Sequence, residues 1–246
     1  MVASADPQEM AKFEQLADTW WDRSGPFWPL HKLNEVRTQY ICELVSAHQT
    51  APGDGAAPLD GVRMLDIGCG GGLLSEAMAR LGAQVHGVDV VERNIRIAER
   101  HRPAELAGRL TYEHGSIEAL AERGERYDVV LNMEVVEHVV DLPQFIGECC
   151  KVVAHDGLMF VSTLNRNPLS FISAIVGAEY VLGWLPKGTH DWRKFPKPQE
   201  LTAMLTTHGM EVQHRRGVRV NPLTRHFSLT RSLAINYMLV AAPAQA

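Results

Sequence analysis

Residues 64–72 read Met-Leu-Asp-Ile-Gly-Cys-Gly-Gly-Gly: an apolar run, a cluster of glycines, then a helical stretch from Leu73. A strand that turns this sharply into a helix leaves few folds open. Glycine lets the backbone turn and lets a ligand approach with no Cβ in the way. The helix N-terminus behind the turn supplies unpaired N–H groups and the positive end of a dipole. Asp89 closes the next apolar run, 21 residues after Gly68, where a carboxylate can accept both hydroxyls of a ribose. A dinucleotide loop wants Gly-x-Gly-x-x-Gly, but Leu73 occupies the place of its last glycine. Gly68 and Gly70, preceded by Asp66, suit a nucleoside ligand without a pyrophosphate. A purely structural turn is the competing reading.

The rest of the chain builds outward from this turn. Apolar runs at 63–67, 84–88, 110–113, 128–132 and 158–163 predict strands, and the stretches 73–81, 92–102, 117–121 and 143–154 between them predict helices. Such alternation implies a mainly parallel sheet covered on both faces. A helix over 198–208 and strands over 211–217 and 234–240 complete a seven-stranded α/β reading. Upstream, Met10, Phe13, Leu16, Ala17, Trp20 and Trp21 recur at helical spacing, as do Val36, Tyr40 and Leu44 over 33–47. Residues 50–60, rich in Pro, Gly and Ala, read as a linker. The chain is therefore expected to form one domain, 1–246, with a helical extension over 1–60 and an insertion over 165–196.

Composition narrows the class. With 46% hydrophobic and 22% charged residues in 246, the chain can bury a core. A net charge of −5 argues against coating nucleic acid, which needs clustered Lys and Arg. The four cysteines show no Cys-x-x-Cys spacing, and two are adjacent (Cys149, Cys150), so neither a disulfide framework nor a zinc site is expected. The N-terminus lacks a basic-then-apolar leader, and no run of 18 apolar residues occurs; a cytoplasmic, reducing environment is expected.

Residues 64–72 with Asp89 resemble the cofactor signature of class I S-adenosylmethionine-dependent methyltransferases, whose fold is Rossmann-like. A closer resemblance is carried by Phe13-Glu14, Trp20-Trp21-Asp22, Pro29-Leu30-His31, Asn34, Arg37, Asn132-Met133-Glu134, Glu137-His138, Ser162-Thr163-Leu164-Asn165-Arg166-Asn167, Gly177-Ala178-Glu179-Tyr180, residues 186–191 and Asn236-Tyr237-Met238. Together these are similar to the ubiquinone-biosynthesis O-methyltransferases over nearly the whole chain. The resemblance implies transfer of a methyl group to a phenolic oxygen of a polyprenylated catechol or hydroquinone, at two steps of ubiquinone assembly. It implies that Arg37, Gly68, Asp89 and Met133 line the S-adenosylmethionine site. Asp89 would hold the ribose, Met133 pack on the adenine and Arg37 meet the methionine carboxylate. A solvated helix arginine is the plainer reading of Arg37. Ser116 and Ile117 would border the adenine.

Glu134, Glu137 and His138 follow the fourth strand, at the sheet edge where ligands bind. Three roles stand open for them. His138 can act as general base, with Glu137 beside it in the catalytic group. All three can coordinate a hard divalent ion, magnesium above all, which would acidify a bound catechol. Or the two glutamates are the acidic first turn of a helix. The insertion is apolar from Pro168 to Pro186 with only Glu179 charged, then basic at Lys187, His190, Arg193, Lys194 and Lys197. It fits a lid touching an anionic membrane surface, against a buried helix. The resemblance also implies peripheral membrane association and partners in a quinone-synthesis assembly. A methyltransferase of another small phenol and a non-catalytic nucleotide-binding protein are the alternatives.

Overall fold

The computed structural model describes residues 5–48, 57–171 and 191–245. Eight strands form one sheet: β1 (Arg63–Ile67), β2 (Gln84–Asp89), β3 (Leu110–His114), β4 (Tyr127–Met133), β5 (Val153–Leu164), β6 (Met210–Asn221), β7 (His226–Thr230) and β8 (Asn236–Pro243). The order is β3-β2-β1-β4-β5-β8-β6-β7. The first five strands run parallel, and β8 is antiparallel to both β5 and β6. The chain leaves β1 toward β2 and β3, then crosses to β4 on the other side. That reversal opens a crevice at the carboxyl ends of β1 and β4, where such sheets bind ligands.

The sheet has one strand more than the expected seven. β6 continues to Asn221 and returns through a tight turn as β7. The Asn221 side chain closes the turn by accepting the Leu223 and Thr224 N–H groups at 3.0 and 3.2 Å. β7 pairs on one side only and buries none of its residues fully; its alternation, His-Phe-Ser-Leu-Thr, spans only five residues and two apolar side chains, a short signal for a sequence reading.

Two layers of helix cover the sheet: α1 (Pro7–Leu16), α2 (Trp28–His48), α3 (Leu73–Arg80), α4 (Glu92–His101), α5 (Ile117–Glu122), α6 (Leu142–Lys151), the single turn α7 (Pro168–Ser170) and α8 (Pro198–Thr207). The apolar stretch over 9–21 is not one helix. α1 stops at Leu16, and a short 3-10 turn carries the chain to Trp20. Asp6 caps α1 by accepting the Gln8 N–H at 2.9 Å, with Pro7 in the first turn, an arrangement that uses donors the helix leaves unpaired. Met64 and Leu65 are neighbours in β1 yet belong to opposite faces. Met64 packs with Ile41, Met78 and Phe160, and Leu65 with Ile146, Leu205 and Leu239, as the two-residue period of a strand requires. The stretch expected as a linker ends inside the core, where Leu59 is fully buried and its N–H reaches the Leu81 carbonyl.

No helix among the described residues is long and apolar enough to cross a membrane. Residues 172–190, most of the expected insertion, lie outside the described residues. Phe160, in the middle of β5, is fully buried. Phe160→Ala should cost about 3–5 kcal/mol, read as a lowered urea midpoint with an unchanged denaturant slope.

Candidate active site

The glycine turn is built as a cradle. Gly68, Gly70 and Gly72 have φ of +65°, +55° and +84°, where a side chain is strained. A Cβ on Gly68 would come within 2.6 Å of Val135, and one on Gly70 would run into the Trp20 ring. The Gly68 and Cys69 N–H groups reach back to the Val88 carbonyl at 2.8 and 3.1 Å. Asp66, one residue before the end of β1, accepts the Ser75 hydroxyl of α3 at 2.5 Å. Burial, more than the nearby charge of Asp89, lifts the Asp66 carboxyl to about 7.

Asp89 ties the turn to its neighbours. Its carboxylate accepts N–H groups from Gly70 (2.9 Å) and Val91 (2.8 Å) and the Asn94 amide (3.2 Å). Burial raises its pKa against these hydrogen bonds, which favour the charge. Asn94 in turn accepts the Trp20 indole N–H at 2.9 Å. Trp20 stacks on Phe27 with ring centres 3.8 Å apart, and Trp21 donates to the Gly71 carbonyl at 2.8 Å. The N-terminal extension thus grips the glycine turn with two indoles.

The other half of the site follows β4. Glu134 has φ +60°, unusual for a residue with a Cβ. Its N–H and its carboxylate both go to Ser162 of β5, the carboxylate accepting the hydroxyl at 2.8 Å. Arg37 of α2, only 4% exposed, pairs with the same Glu134 oxygen through Nη2 and also donates to Ser162 Oγ at 2.8 Å. Glu137 is buried, and neither of its oxygens has a hydrogen-bond partner. Burial first, then the charge of Glu134, pushes its carboxyl up to about 8. His138 turns the other way, with Nδ1 2.9 Å from Glu9 Oε2 on α1 and the Phe13 ring edge-on at 5.1 Å. Its proximity keeps the Glu9 carboxyl low. α1 is itself fixed by the Asp6–Lys194 ion pair at 2.9 Å and by a bridge from Ala5 to Val139.

One cavity of about 650 Å³ joins the two halves. Arg37, Asp66, Gly68, Asp89, Ser116, Ile117, Met133, Glu134, Glu137 and His138 all line it. Gly70 does not; its N–H points at Asp89, so it shapes the cradle from behind. Arg37 is not a solvated helix arginine: it is buried, and its Nη2 serves Glu134 and Ser162. The expected metal set is not assembled. Glu134 accepts from Arg37 and Ser162, His138 faces Glu9, and among the described residues no three His, Cys, Asp or Glu side chains are grouped to hold a metal ion. In this arrangement the residues do not fit one. A sequence reading misses Glu9, Asn94 and Ser162, which reach the site only through tertiary packing. For Ser162 there is a signal, the polar pair Ser162-Thr163 directly after the apolar run 158–161.

Two outcomes follow for stability. Arg37→Met removes the partner of a largely buried carboxylate and should cost on the order of 3 kcal/mol, read by denaturant titration. Glu137 has its folded pKa raised from 4.5 to about 8, so the unfolded chain loses this proton first. Stability is full below about 4.5 and falls as pH rises to about 8, with a slope of at most about 1.4 kcal/mol per pH unit. Glu137→Gln should flatten that decline; an unchanged slope would show that Glu137 does not titrate in this window.

Residues 33–215 match the family model described as a methyltransferase domain. The chain is 50% identical over 238 residues to the ubiquinone biosynthesis O-methyltransferase of Methylobacterium nodulans, covering 97% of this chain and 95% of that one. It is 51% identical over 237 residues to the protein of the same name from Dinoroseobacter shibae, covering 96% and 95%. Among solved structures, magnesium protoporphyrin IX methyltransferase from Synechocystis PCC 6803 with bound SAH aligns with a TM-score of 0.61 at 20% identity, over 95% of this chain and 94% of that one. The fold, the glycine cradle and this full-length identity place the chain in the ubiquinone biosynthesis O-methyltransferase family.

Proposed function

We propose that this chain transfers the methyl group of S-adenosylmethionine to a phenolic hydroxyl of a polyprenylated catechol or hydroquinone on the route to ubiquinone. The observation that carries the reading is the single cavity joining the Gly68–Asp89 cradle to the His138–Glu9 pair. When bound, S-adenosylmethionine supplies the methyl group as an electrophilic carbon on a sulfonium.

The residues present fit that cofactor. The Gly68 backbone and the left-handed turn leave space where a Cβ would intrude. Asp89 is already oriented by three donors, with acceptor capacity left for ribose hydroxyls. Met133, Ser116 and Ile117 supply the adenine surroundings. Arg37 has donors beyond the engaged Nη2 to meet the methionine carboxylate. At the acceptor end, Glu9 holds the imidazole by Nδ1, which leaves Nε2 to take the phenol proton. With S-adenosylmethionine bound, the cradle would hold its methyl group toward the deprotonated phenol, and His138 would pass the proton on to solvent. Displacement of this kind depends chiefly on alignment, and a placed base adds about 10²–10⁴-fold. A water-insoluble tail on the acceptor supports peripheral contact with an anionic membrane surface and a place in a quinone-synthesis assembly. The apolar-then-basic composition of 168–197 supports the same contact.

Asp89→Ala should weaken S-adenosylhomocysteine binding by tenfold or more, the loss of a charged hydrogen-bond acceptor, measured by calorimetry; unchanged affinity would refute the ribose role. Mass spectrometry of a short-prenyl catechol incubated with protein and S-adenosylmethionine should show one added methyl group. His138→Ala should lower kcat about 100-fold or more and leave S-adenosylhomocysteine affinity unchanged, and Glu9→Gln should lower kcat less. A chelator separates two ways of preparing the phenolate. Transfer that survives it leaves the proton to His138, and transfer abolished by it assigns Glu134, Glu137 and His138 to a metal.

A further inference from the structure

The cavity runs along the carboxyl edge of the sheet. Asp89, at the end of β2, lines one end of it, and the β6–β7 hairpin, on the far side of β4, β5 and β8, lines the other. β6 leaves β8 after Arg216. At the next residue, Gly217, a Cβ would come within 2.0 Å of the Ser232 carbonyl oxygen, so the close approach requires glycine. The Val218 N–H then goes to the Asn236 side chain at 2.6 Å, and beyond it β6 pairs with β7 alone. Paired residues share a face and successive ones alternate. Val218, Val220, Phe227 and Leu229 therefore make one apolar face, and Arg219, Asn221 and Ser228 belong to the other.

This apolar face does not close on the core. Val218 is buried, but Val220 and Phe227 are only half-buried, and both line the cavity. The hairpin is fixed to α2 at its rim, with Phe227 edge-on to Trp28 at 6.3 Å between ring centres and Arg225 over the same indole at 4.6 Å. α2 supplies the facing wall. Leu30, Leu33, Asn34 and Arg37 recur at helical spacing, and all four line the cavity. The stripe is apolar at Leu30 and Leu33 and polar at Asn34 and Arg37, over about 10 Å of helix. Arg37 reaches Glu134, at the end of β4 that leads to His138. The cavity is thus polar beside the imidazole and apolar toward the hairpin.

We propose that the space between the first turns of α2 and the β6–β7 hairpin is the subsite for the part of the acceptor's hydrocarbon tail next to its aromatic ring. Val220 and Phe227 there set the preference for a prenylated over an unsubstituted catechol. The proposal rests on the acceptor reading above and adds to it a path for the tail. A molecule with a phenol at one end and hydrocarbon at the other matches this polarity in one orientation only, and that orientation brings its hydroxyl to His138. Apolar walls supply the affinity and the few polar groups the direction, which is the alignment that displacement needs.

The test is calorimetry of the full chain loaded with S-adenosylhomocysteine, titrated with catechol and with geranylcatechol. The wild-type protein should bind geranylcatechol about tenfold or more tightly than catechol. Val220→Asp sets a charge in the tail's wall and should lower that ratio about tenfold. Phe227→Ala takes a ring out of the wall and should lower it about threefold. S-adenosylhomocysteine affinity reports whether each variant is folded, and Phe227→Ala, on an edge strand, decides the matter if Val220→Asp is not. A wild-type ratio in a variant that still binds S-adenosylhomocysteine overturns the proposal, since the tail then lies elsewhere. So does equal binding of both catechols by the wild-type protein. Binding is read without turnover, so failure of the methyl-transfer reading would appear only in the mass-spectrometric assay.

Discussion

The site depends on the buried carboxylate of Asp89. It ends β2 on the crevice, and without partners its charge would be costly to bury. The Gly70 and Val91 amides and the Asn94 side chain meet that cost. Each of these bonds also fixes something the site needs. The Gly70 bond sets the cradle, the Val91 bond starts α4, and the Asn94 bond extends to Trp20 and through it to the N-terminal extension. Holding one carboxylate therefore places a loop, a helix and an aromatic clamp together.

The catalytic end is organised by charge of both signs arriving from distant parts of the chain. Arg37 descends from α2 into a region that also contains Glu134 and Glu137, and it pairs with the first of these. Glu137, without a partner, is driven toward its neutral form by burial and by the charge of Glu134. His138, one residue on, escapes this cluster by facing Glu9. Two adjacent titratable side chains thus acquire opposite surroundings, because the 3-10 turn over Val136–His138 points one into the core and the other toward α1. α1 can serve as a partner because Lys194 and Val139 hold its N-terminal end.

Much of the fold was legible because it rests on local rules. The apolar runs, the glycines and Asp89 predict the strand–turn–helix and the crevice, and the structure puts them there. Where elements depend on long-range pairing the sequence is quieter. β7 is an edge strand of five residues with only Phe227 and Leu229 apolar, neither of them buried, so its alternation is too short to stand out. The 9–21 stretch has a helical period throughout, but Trp20 and Trp21 are drawn off the helix axis to the glycine turn, where their indole N–H groups find partners. The Glu-x-x-Glu-His cluster shows the limit most clearly. Its residue types suit a metal, a base or a helix end equally well, and nothing local says which way each side chain turns.

The sequence by itself determined the alternating α/β order and the glycine cradle, because glycine conformation and strand period act over a few residues, and it carried the family as a resemblance of motifs spread over nearly the whole chain. Tertiary structure decided that Arg37 is an internal ion-pair partner, that His138 belongs with Glu9 and that Glu137 is an isolated buried acid. Those outcomes depend on which side chains meet across 97 residues (Arg37 with Glu134) or 129 residues (Glu9 with His138) of chain. Burial then sets the protonation of each, through a desolvation that no local sequence pattern encodes.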